Sequence, residues 1–303
     1  MMRKKEAGLT KGLMKRLILT SLCVLIVTGT SFGDWPTPKW VQLPNETSYG
    51  MDVRMDRNDE VERVLADDFL CASTDKITDI HFWGSWKGDV EGVIKNIHLS
   101  IHEDISASQP QLYSRPGEQL WAMDFGSGQF AKQLYKDISP SYERWLDPIN
   151  QQSYQREGDQ KIWQYNINID PSLAFEQQGT AEEPRVYWLD VYVETNGGGE
   201  FGWKTSSQHW NDDAVWGVPN PTGQPGISWS ELGYPYSTPP WQGSSVDFAF
   251  VVTPEPGTIL LLGTGLLTVI SRRRRFNNMA QRRRTCVFGE TSNEAGNFKG
   301  SER

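Results

Sequence analysis

Cysteine and histidine are scarce in this chain, which has three cysteines and four histidines among 303 residues. Cys23, Cys71 and Cys286 are too few for a disulfide framework and too far apart in the sequence for a zinc site. The motifs typical of P-loops, dinucleotide-binding folds, serine-hydrolase elbows and zinc proteases are also missing. We therefore expect no cofactor, assign no catalytic residue and assign no metal-ligating residue.

Positive charge is sparse in the centre of the chain. Residues 34–253 carry 33 acidic and 15 basic side chains, a net charge of −18, whereas the two flanking segments together carry +10. Such an excess of carboxylates repels phosphates, so we expect no nucleic-acid partner. An aromatic content of 12% excludes a disordered acidic chain. Basic, apolar ends around an acidic centre are typical of an exported protein.

A targeting segment is predicted at the N-terminus. Basic side chains cluster in residues 3–16, an apolar run follows at 17–28, and small residues stand at Ser31 and Gly33. This order is typical of a Sec signal peptide, here residues 1–33, cleaved between Gly33 and Asp34. A retained membrane anchor is the alternative, but the run is shorter than the ~20 residues that a transmembrane helix needs.

A second targeting segment lies near the C-terminus, where Pro254, Glu255 and Pro256 precede an apolar stretch at 259–270. Because proline disrupts a helix interior, the apolar helix is predicted to start after Pro256. An arginine cluster ends it and predicts a cytoplasmic end by the positive-inside rule. The cluster comprises Arg272, Arg273, Arg274 and Arg275.

Residues 253–275 closely resemble the PEP-CTERM sorting signal, in which Pro-Glu-Pro, a short helix and arginines follow one another. The resemblance implies that an exosortase, a membrane transpeptidase, is a partner and removes the helix. The protein is then expected to be membrane-anchored before processing and to reach the cell surface or extracellular matrix afterwards. An ordinary single-pass anchor is the alternative. Residues 276–303 extend beyond the usual end of such signals and are predicted to form a disordered tail.

The centre of the chain shows period-two alternation of apolar and polar residues rather than helical periodicity. The alternating runs lie at 97–101, 163–169, 187–193 and 246–250, separated by turn-forming residues. A short helix is predicted only at 170–175. We therefore predict that residues 34–253 form a single antiparallel β-sandwich of jelly-roll type.

Three stretches of this centre, 64–69, 80–86 and 201–216, resemble a domain of unknown function. That domain occurs in exported PEP-CTERM proteins of Planctomycetes-type bacteria. The resemblance implies a location for the protein and no particular activity.

Candidate metal ligands are few in the centre of the chain. The pairs Asp67–Asp68 and Asp212–Asp213, the second beside Asn211 and His209, offer oxygen ligands suited to a structural Ca²⁺ ion. The alternative is that these carboxylates cap turns. His98 and His102 lie ~13 Å apart along one strand, too far for one ion, and are expected to face solvent. Cys71 is expected to be a buried, unreactive thiol.

Tryptophan is abundant, with all 13 residues between Trp35 and Trp241. Trp188 and Tyr192 fall on the polar face of their strand, so we predict a glycan-stacking surface there and an exopolysaccharide partner. The alternative is that the aromatics are core residues. The predicted function is a noncatalytic surface or matrix protein, and the alternative is a secreted carbohydrate-active enzyme on a jelly-roll scaffold. Such an enzyme needs two carboxylates ~5–10 Å apart in a groove.

Overall fold

The computed structural model of the chain describes residues 38–57, 63–150, 154–219, 226–235 and 244–254. Several predicted features lie outside these ranges: the signal peptide with its Gly33–Asp34 cleavage site, Glu255 and Pro256, the apolar stretch, Arg272 to Arg275 and the tail. Within the ranges, no helix is long and apolar enough to cross a membrane.

Seventeen strands and no α-helix form in the described part of the chain, and a 3₁₀ turn lies at Lys87–Asp89. The strands are β1 (Trp40–Gln42), β2 (Met51–Arg54), β3 (Asp56–Arg57), β4 (Val64–Cys71), β5 (Lys76–Ile77), β6 (Asp79–Trp86), β7 (Ile94–Ile105), β8 (Arg115–Gly126), β9 (Ala131–Asp137), β10 (Arg144–Leu146), β11 (Lys161–Asn168), β12 (Phe175–Glu176), β13 (Arg185–Thr195), β14 (Phe201–Lys204), β15 (Val215–Pro219), β16 (Ile227–Glu231) and β17 (Phe250–Thr253).

Two large sheets contain nearly all of these strands. The first has the order β1-β17-β6-β14-β2-β10, and β11 and β9 extend it from the other edge of β6. The second has the order β16-β15-β4-β13-β7-β8, with β3 also beside β13. Among the pairings of the described strands, only β2 with β10 and β3 with β13 are parallel. The predicted all-β, antiparallel sandwich is confirmed.

The core lies between the two sheets and is rich in aromatic rings. Phe69 of β4 meets Phe250 of β17 edge to face at 6.1 Å, which joins the sheets. Phe82 of β6 stacks on Tyr165 of β11 at 5.1 Å. The inward residues of all four predicted alternations belong to this core, with Trp163 packed at its margin. They are Ile97, Leu99, Ile101, Tyr165, Ile167, Ile169, Tyr187, Leu189, Val191, Val193, Val246, Phe248 and Phe250.

The predicted helix at 170–175 is wrong. Asp170 does cap a turn, since its side chain accepts a hydrogen bond from the Ser172 amide at 2.8 Å and its carbonyl accepts one from Leu173 at 2.8 Å. The turn does not propagate, because Phe175 joins β12 and its ring packs edge to face on Tyr187 at 5.4 Å. Tertiary packing overrides the local helix-start signal.

Candidate functional site: a polar cleft around His209 and Asp247

Trp188 lies on the outer face of β13, as its alternation predicts, but its side chain is fully buried. Its Nε1–H donates a hydrogen bond to Asp104 at 2.9 Å. Its apolar neighbours are Ala66, Val215, Tyr113 and Trp229. The expectation that this indole faces solvent is therefore wrong. Alternation gives the correct side of the sheet, but the side chains of Tyr113 and of Trp229, the latter on β16 of the same sheet, pack over that side.

Tyr192, the second residue of the predicted glycan face, is half-buried. Its ring stacks on His98 at 4.4 Å, and the Arg57 guanidinium lies 4.6 Å from the ring centroid. The structure therefore does not bring Trp188 and Tyr192 together as one exposed stacking surface.

A polar cleft of about 290 Å³ opens instead where the segment after β14 meets the segment before β17. Its lining includes Ser206, Ser207, Gln208, His209, Ser245 and Asp247. Backbone hydrogen bonds fix the two segments, from Ser206 to the Asp247 carbonyl at 2.8 Å and from Ala214 to the Val246 carbonyl at 2.7 Å. The cleft is thus built on ordered backbone rather than on a free loop.

A chain of hydrogen-bonded side chains crosses this cleft. His209 Nδ1 lies 2.9 Å from Asp247 Oδ1, and His209 Nε2 lies 3.3 Å from Ser245 Oγ. The other Asp247 oxygen accepts bonds from the Trp210 amide at 2.7 Å and from the Gln42 side chain at 2.9 Å. Asp247 is buried, whereas the His209 side chain is 48% exposed. The carboxylate is therefore held firmly, and the imidazole meets solvent.

Behind the cleft, the fold joins the two aspartate pairs that the sequence singles out. The Asn211 amide donates to Asp68. Asp67 accepts hydrogen bonds from the Phe248 amide at 2.6 Å and the Asp68 amide at 2.9 Å. Asp67 thus bonds backbone amides, as the turn-capping alternative proposes. Sequence reasoning missed Asp247, which no local motif marks.

Burial and mutual repulsion alter the acidity of this group. Burial, followed by repulsion from Asp247 and Asp68, holds the pKa of Asp67 well above its usual range. Burial raises the pKa of Asp68 to about 8, although the Asn211 hydrogen bond lowers it. Burial likewise raises the pKa of Asp247 to about 6 against the lowering effect of His209. The cluster therefore strongly favours either protonation of its carboxyl groups or the binding of a cation.

Two residues of the cleft and one beside it could hold a metal ion. His209, Asp213 and Asp247 each offer one ligand atom, and these atoms lie within 4.8 Å of one another. One oxygen of the buried Asp68 and one of Asp213 have no hydrogen-bond partner. The donor set mixes hard oxygens with one imidazole, which suits several divalent ions.

The other histidines of the sequence analysis lie elsewhere on the sandwich. His102 is 7% exposed, and its Nε2 lies 2.9 Å from Asp190 and 2.8 Å from Ser100. The expectation that it faces solvent is wrong. His98 is only partly buried and lies 2.7 Å from Asp124. Cys71 is buried, as expected, and its thiol donates to the Ser73 carbonyl at 2.9 Å.

A second acidic group, absent from the sequence analysis, lies under the outer face of the first sheet. Asp52, Glu143, Asp159 and Lys204 are each 0% exposed. Their positions in the sequence are separated by up to 152 residues, and no short motif contains them, so only the folded chain reveals the group.

These features define the class of surface-sorted β-sandwich proteins. The two-sheet ectodomain is followed by Pro-Glu-Pro, an apolar stretch and a basic cluster. Residues 252–275 match the PEP-CTERM protein-sorting motif, so the chain is an exosortase-sorted protein with a surface or extracellular destination. Residues 38–253 match the family described as Domain of unknown function (DUF7901), and the chain belongs to that family. No curated protein and no solved structure matches the chain.

Proposed function

We propose that the ectodomain is a noncatalytic module that binds a neutral, hydroxyl-rich glycan in the polar cleft around His209 and Asp247. The observation that supports this proposal is the lining of the cleft, which offers serine hydroxyls, the Gln208 amide, an imidazole and a carboxylate together. These groups donate and accept hydrogen bonds as sugar hydroxyls require. A volume of about 290 Å³ lies at the lower limit for small-molecule sites and suits one or two sugar rings.

The charge of the domain selects the kind of glycan. Asp212 and Asp213 lie beside the cleft, and burial together with these two carboxylates raises the pKa of Glu231. With a net charge of −18 over residues 34–253, the domain repels polyanions. A neutral exopolysaccharide therefore fits this surface better than an acidic one.

Retention on neutral exopolysaccharide from the host tests the proposal. The full-length chain, purified in detergent, is expected to bind with weak affinity, and both Gln208→Ala and His209→Ala are expected to weaken retention several-fold. Gln119→Ala, at an exposed position on β8, is the matched control and should bind like the wild type. Equal retention by all four proteins would show that the cleft is not the glycan site.

Catalysis in the same cleft is the second candidate, and the Ser245–His209–Asp247 hydrogen-bond chain favours it. Ser245 Oγ would attack an acyl carbonyl carbon while His209 Nε2 takes the hydroxyl proton. The leaving alcohol would receive that proton, and water would then release the acid from Ser245. Two features favour binding instead: the Ser245–His209 distance of 3.3 Å is long for a hydrogen bond, and His209 is open to water.

A fluorophosphonate probe separates the two candidates. The noncatalytic proposal predicts no covalent label on the wild type and no hydrolysis of acetylated sugar esters. A hydrolase would label at Ser245, lose the label in Ser245→Ala and keep it in the neighbouring control Ser244→Ala. The glycosidase alternative needs accessible carboxylates, and the Asp52, Glu143 and Asp159 group is enclosed.

Delivery completes the proposed function. The basic N-terminus supports export through the Sec pathway, and the apolar stretch at 259–270 supports a membrane-anchored precursor. Exosortase processing at the PEP-CTERM motif then leaves the ectodomain in the extracellular matrix.

A further inference from the structure

A fully enclosed group of charged side chains lies on the outer side of the first sheet. Asp52 stands on β2 and Lys204 on β14, and their strands pair directly. Glu143 directly precedes β10 and Asp159 precedes β11, both strands of the same sheet, and the Glu143 amide donates to the Asp159 carbonyl at 2.8 Å. Trp145 lies beside the group, since it pairs with Asp52 in the β2–β10 register and a Cβ on Gly202 of β14 would lie 3.0 Å from its ring.

The single ammonium of this group pairs with two of the three carboxylates. Lys204 Nζ lies 2.8 Å from Glu143 Oε1 and 3.5 Å from Asp52 Oδ2. Gly50 leaves the room for it, because a Cβ there would meet Nζ. The structure records no ion pair between Lys204 and Asp159, although the charge of Lys204 lowers the pKa of Asp159.

The buried oxygens of this group outnumber the hydrogen-bond donors near them, which are the Lys204 ammonium and the Ser85 hydroxyl. Both oxygens of Asp52, both of Asp159 and the Ser85 hydroxyl have no partner at hydrogen-bond geometry. Ser85 is close enough to lower the pKa of Asp52 and Asp159, but burial raises both far more. Burying oxygens without enough hydrogen-bond donors costs free energy of folding. A bound cation or added protons would offset that cost.

The geometry points to a structural Ca²⁺ site formed by Asp52, Glu143 and Asp159. One oxygen from each lies within 4.8 Å of the others, and an ion ~2.3–2.6 Å from each oxygen spans that separation. Mg²⁺ demands near-octahedral geometry and usually keeps several of its waters, so it fits an enclosed group less well than Ca²⁺ does. An oxygen-only donor set also excludes the softer metals as preferred occupants.

The charge of the group agrees with a divalent occupant. Three carboxylates and one ammonium sum to −2 inside an enclosed volume, so a divalent cation makes the group neutral. Protonation of two carboxylates would also make it neutral, and the experiment below distinguishes these states. Bound Ca²⁺ would tie Glu143 and Asp159, which precede β10 and β11, to Asp52 on β2.

This site does not depend on the proposed glycan cleft, which uses different residues. Because extracellular modules commonly bind Ca²⁺ with dissociation constants of ~10⁻⁴–10⁻³ M, the ion would be gained after export. The ectodomain would then reach its full stability only outside the cell.

Refolding with and without Ca²⁺ tests the inference. Because the group is enclosed, the full-length chain is unfolded in chelator and refolded in detergent at neutral pH, with or without CaCl₂. We expect a higher Tm with Ca²⁺, rising further with each tenfold increase in concentration above the dissociation constant. We expect Tb³⁺ to bind in place of Ca²⁺ and to show luminescence sensitised by the adjacent Trp145.

Two variants locate the ion. Asp159→Asn should lose both the Ca²⁺-dependent Tm and the Tb³⁺ signal, whereas Asp213→Asn, beside the polar cleft, should keep both. If Asp159→Asn does not fold, Glu143→Gln replaces it. An unchanged wild-type Tm across Ca²⁺ concentrations, or a response lost only in Asp213→Asn, would overturn the inference. Glycan retention by Asp159→Asn protein shows separately whether the proposed function holds.

Discussion

Trp188 shows at the scale of one residue what an alternating sequence can and cannot predict. A period of two assigns a side chain to one side of a sheet, and the structure places Trp188 on the predicted outer side. It does not reveal which other segment covers that side, and here Tyr113 and Trp229 do so from far along the chain. His102 is also buried on this outer face, where its ring nitrogens lie near Ser100, Asp190 and the Gly117 carbonyl.

Truncating Trp188 should therefore harm stability rather than binding. Trp188→Ala removes a fully buried indole and its bond to Asp104, and we expect a loss of ~3–5 kcal/mol in unfolding free energy. Tyr142→Ala, at a ring that is 42% exposed, is the control and should cost far less. Urea unfolding of both variants measures the difference, and equal, small losses would show that Trp188 is not a core residue.

His102 gives a pH-dependent contribution to stability. Burial lowers its pKa, but the hydrogen bond and charge of Asp190 outweigh burial and raise the pKa above the usual value. The charged imidazole therefore stabilises the fold fully below the unfolded pKa of ~6.5. This stabilisation is lost as pH rises through the folded pKa.

We expect the difference in unfolding free energy between wild type and His102→Gln to shrink as pH rises. Denaturant unfolding between about pH 5.5 and about pH 9 covers the range in which histidine changes charge. Asp190→Asn removes the carboxylate that favours the imidazolium, so it should remove the same dependence. A difference that grows with pH would contradict the assignment.

At the scale of elements, the structure contains the predicted strands, because their signals are local. It does not contain the predicted helix at 170–175. Asp170 and Pro171 resemble a helix start, yet Phe175 is drawn into β12 by the core. The candidate site, in contrast, forms from residues that lie far apart in the sequence. Asp67 and Asp68 are separated from Asn211 by more than 140 residues, and only the pairing of strands brings them together.

The β15–β16 pair offers a test of how the outer face is covered. A Cβ on Gly217 would lie 2.2 Å from Ile227 and 2.9 Å from the ring of Trp229. Gly217→Ala should therefore displace the Ile227 and Trp229 side chains of β16 and cost ~1–3 kcal/mol of stability. Gly233→Ala, whose Cβ would meet only the Ser244 carbonyl at 3.9 Å, should be nearly neutral in the same thermal unfolding measurement.

At the scale of the whole molecule, the sorting signal could be recognised from sequence because its motif and spacing lie within one short segment. The match over residues 252–275 confirms this interpretation. The two acidic groups could not be assembled in this way, since the cleft group joins residues of both sheets and the enclosed group joins separate strands of the first sheet.

Replacing Pro254, Glu255 and Pro256 with alanine should separate export from processing. We expect the variant to leave the cytoplasm and to accumulate as an uncleaved, membrane-associated form in the native host. Fractionation and mass spectrometry measure the two steps. Release of variant protein with the same mass as the mature wild type would mean that the motif does not direct cleavage.

Because Cys71 is buried, the reactivity of its thiol can be used to measure how fast the domain opens. If both ends are removed as proposed, this is the one thiol left in the mature chain, and its side chain is shielded between Ser73 and Gln177. An aromatic disulfide reagent can then reach it only when β4 separates from its surroundings. The rate of thiol modification would report that separation directly, without any label introduced into the protein.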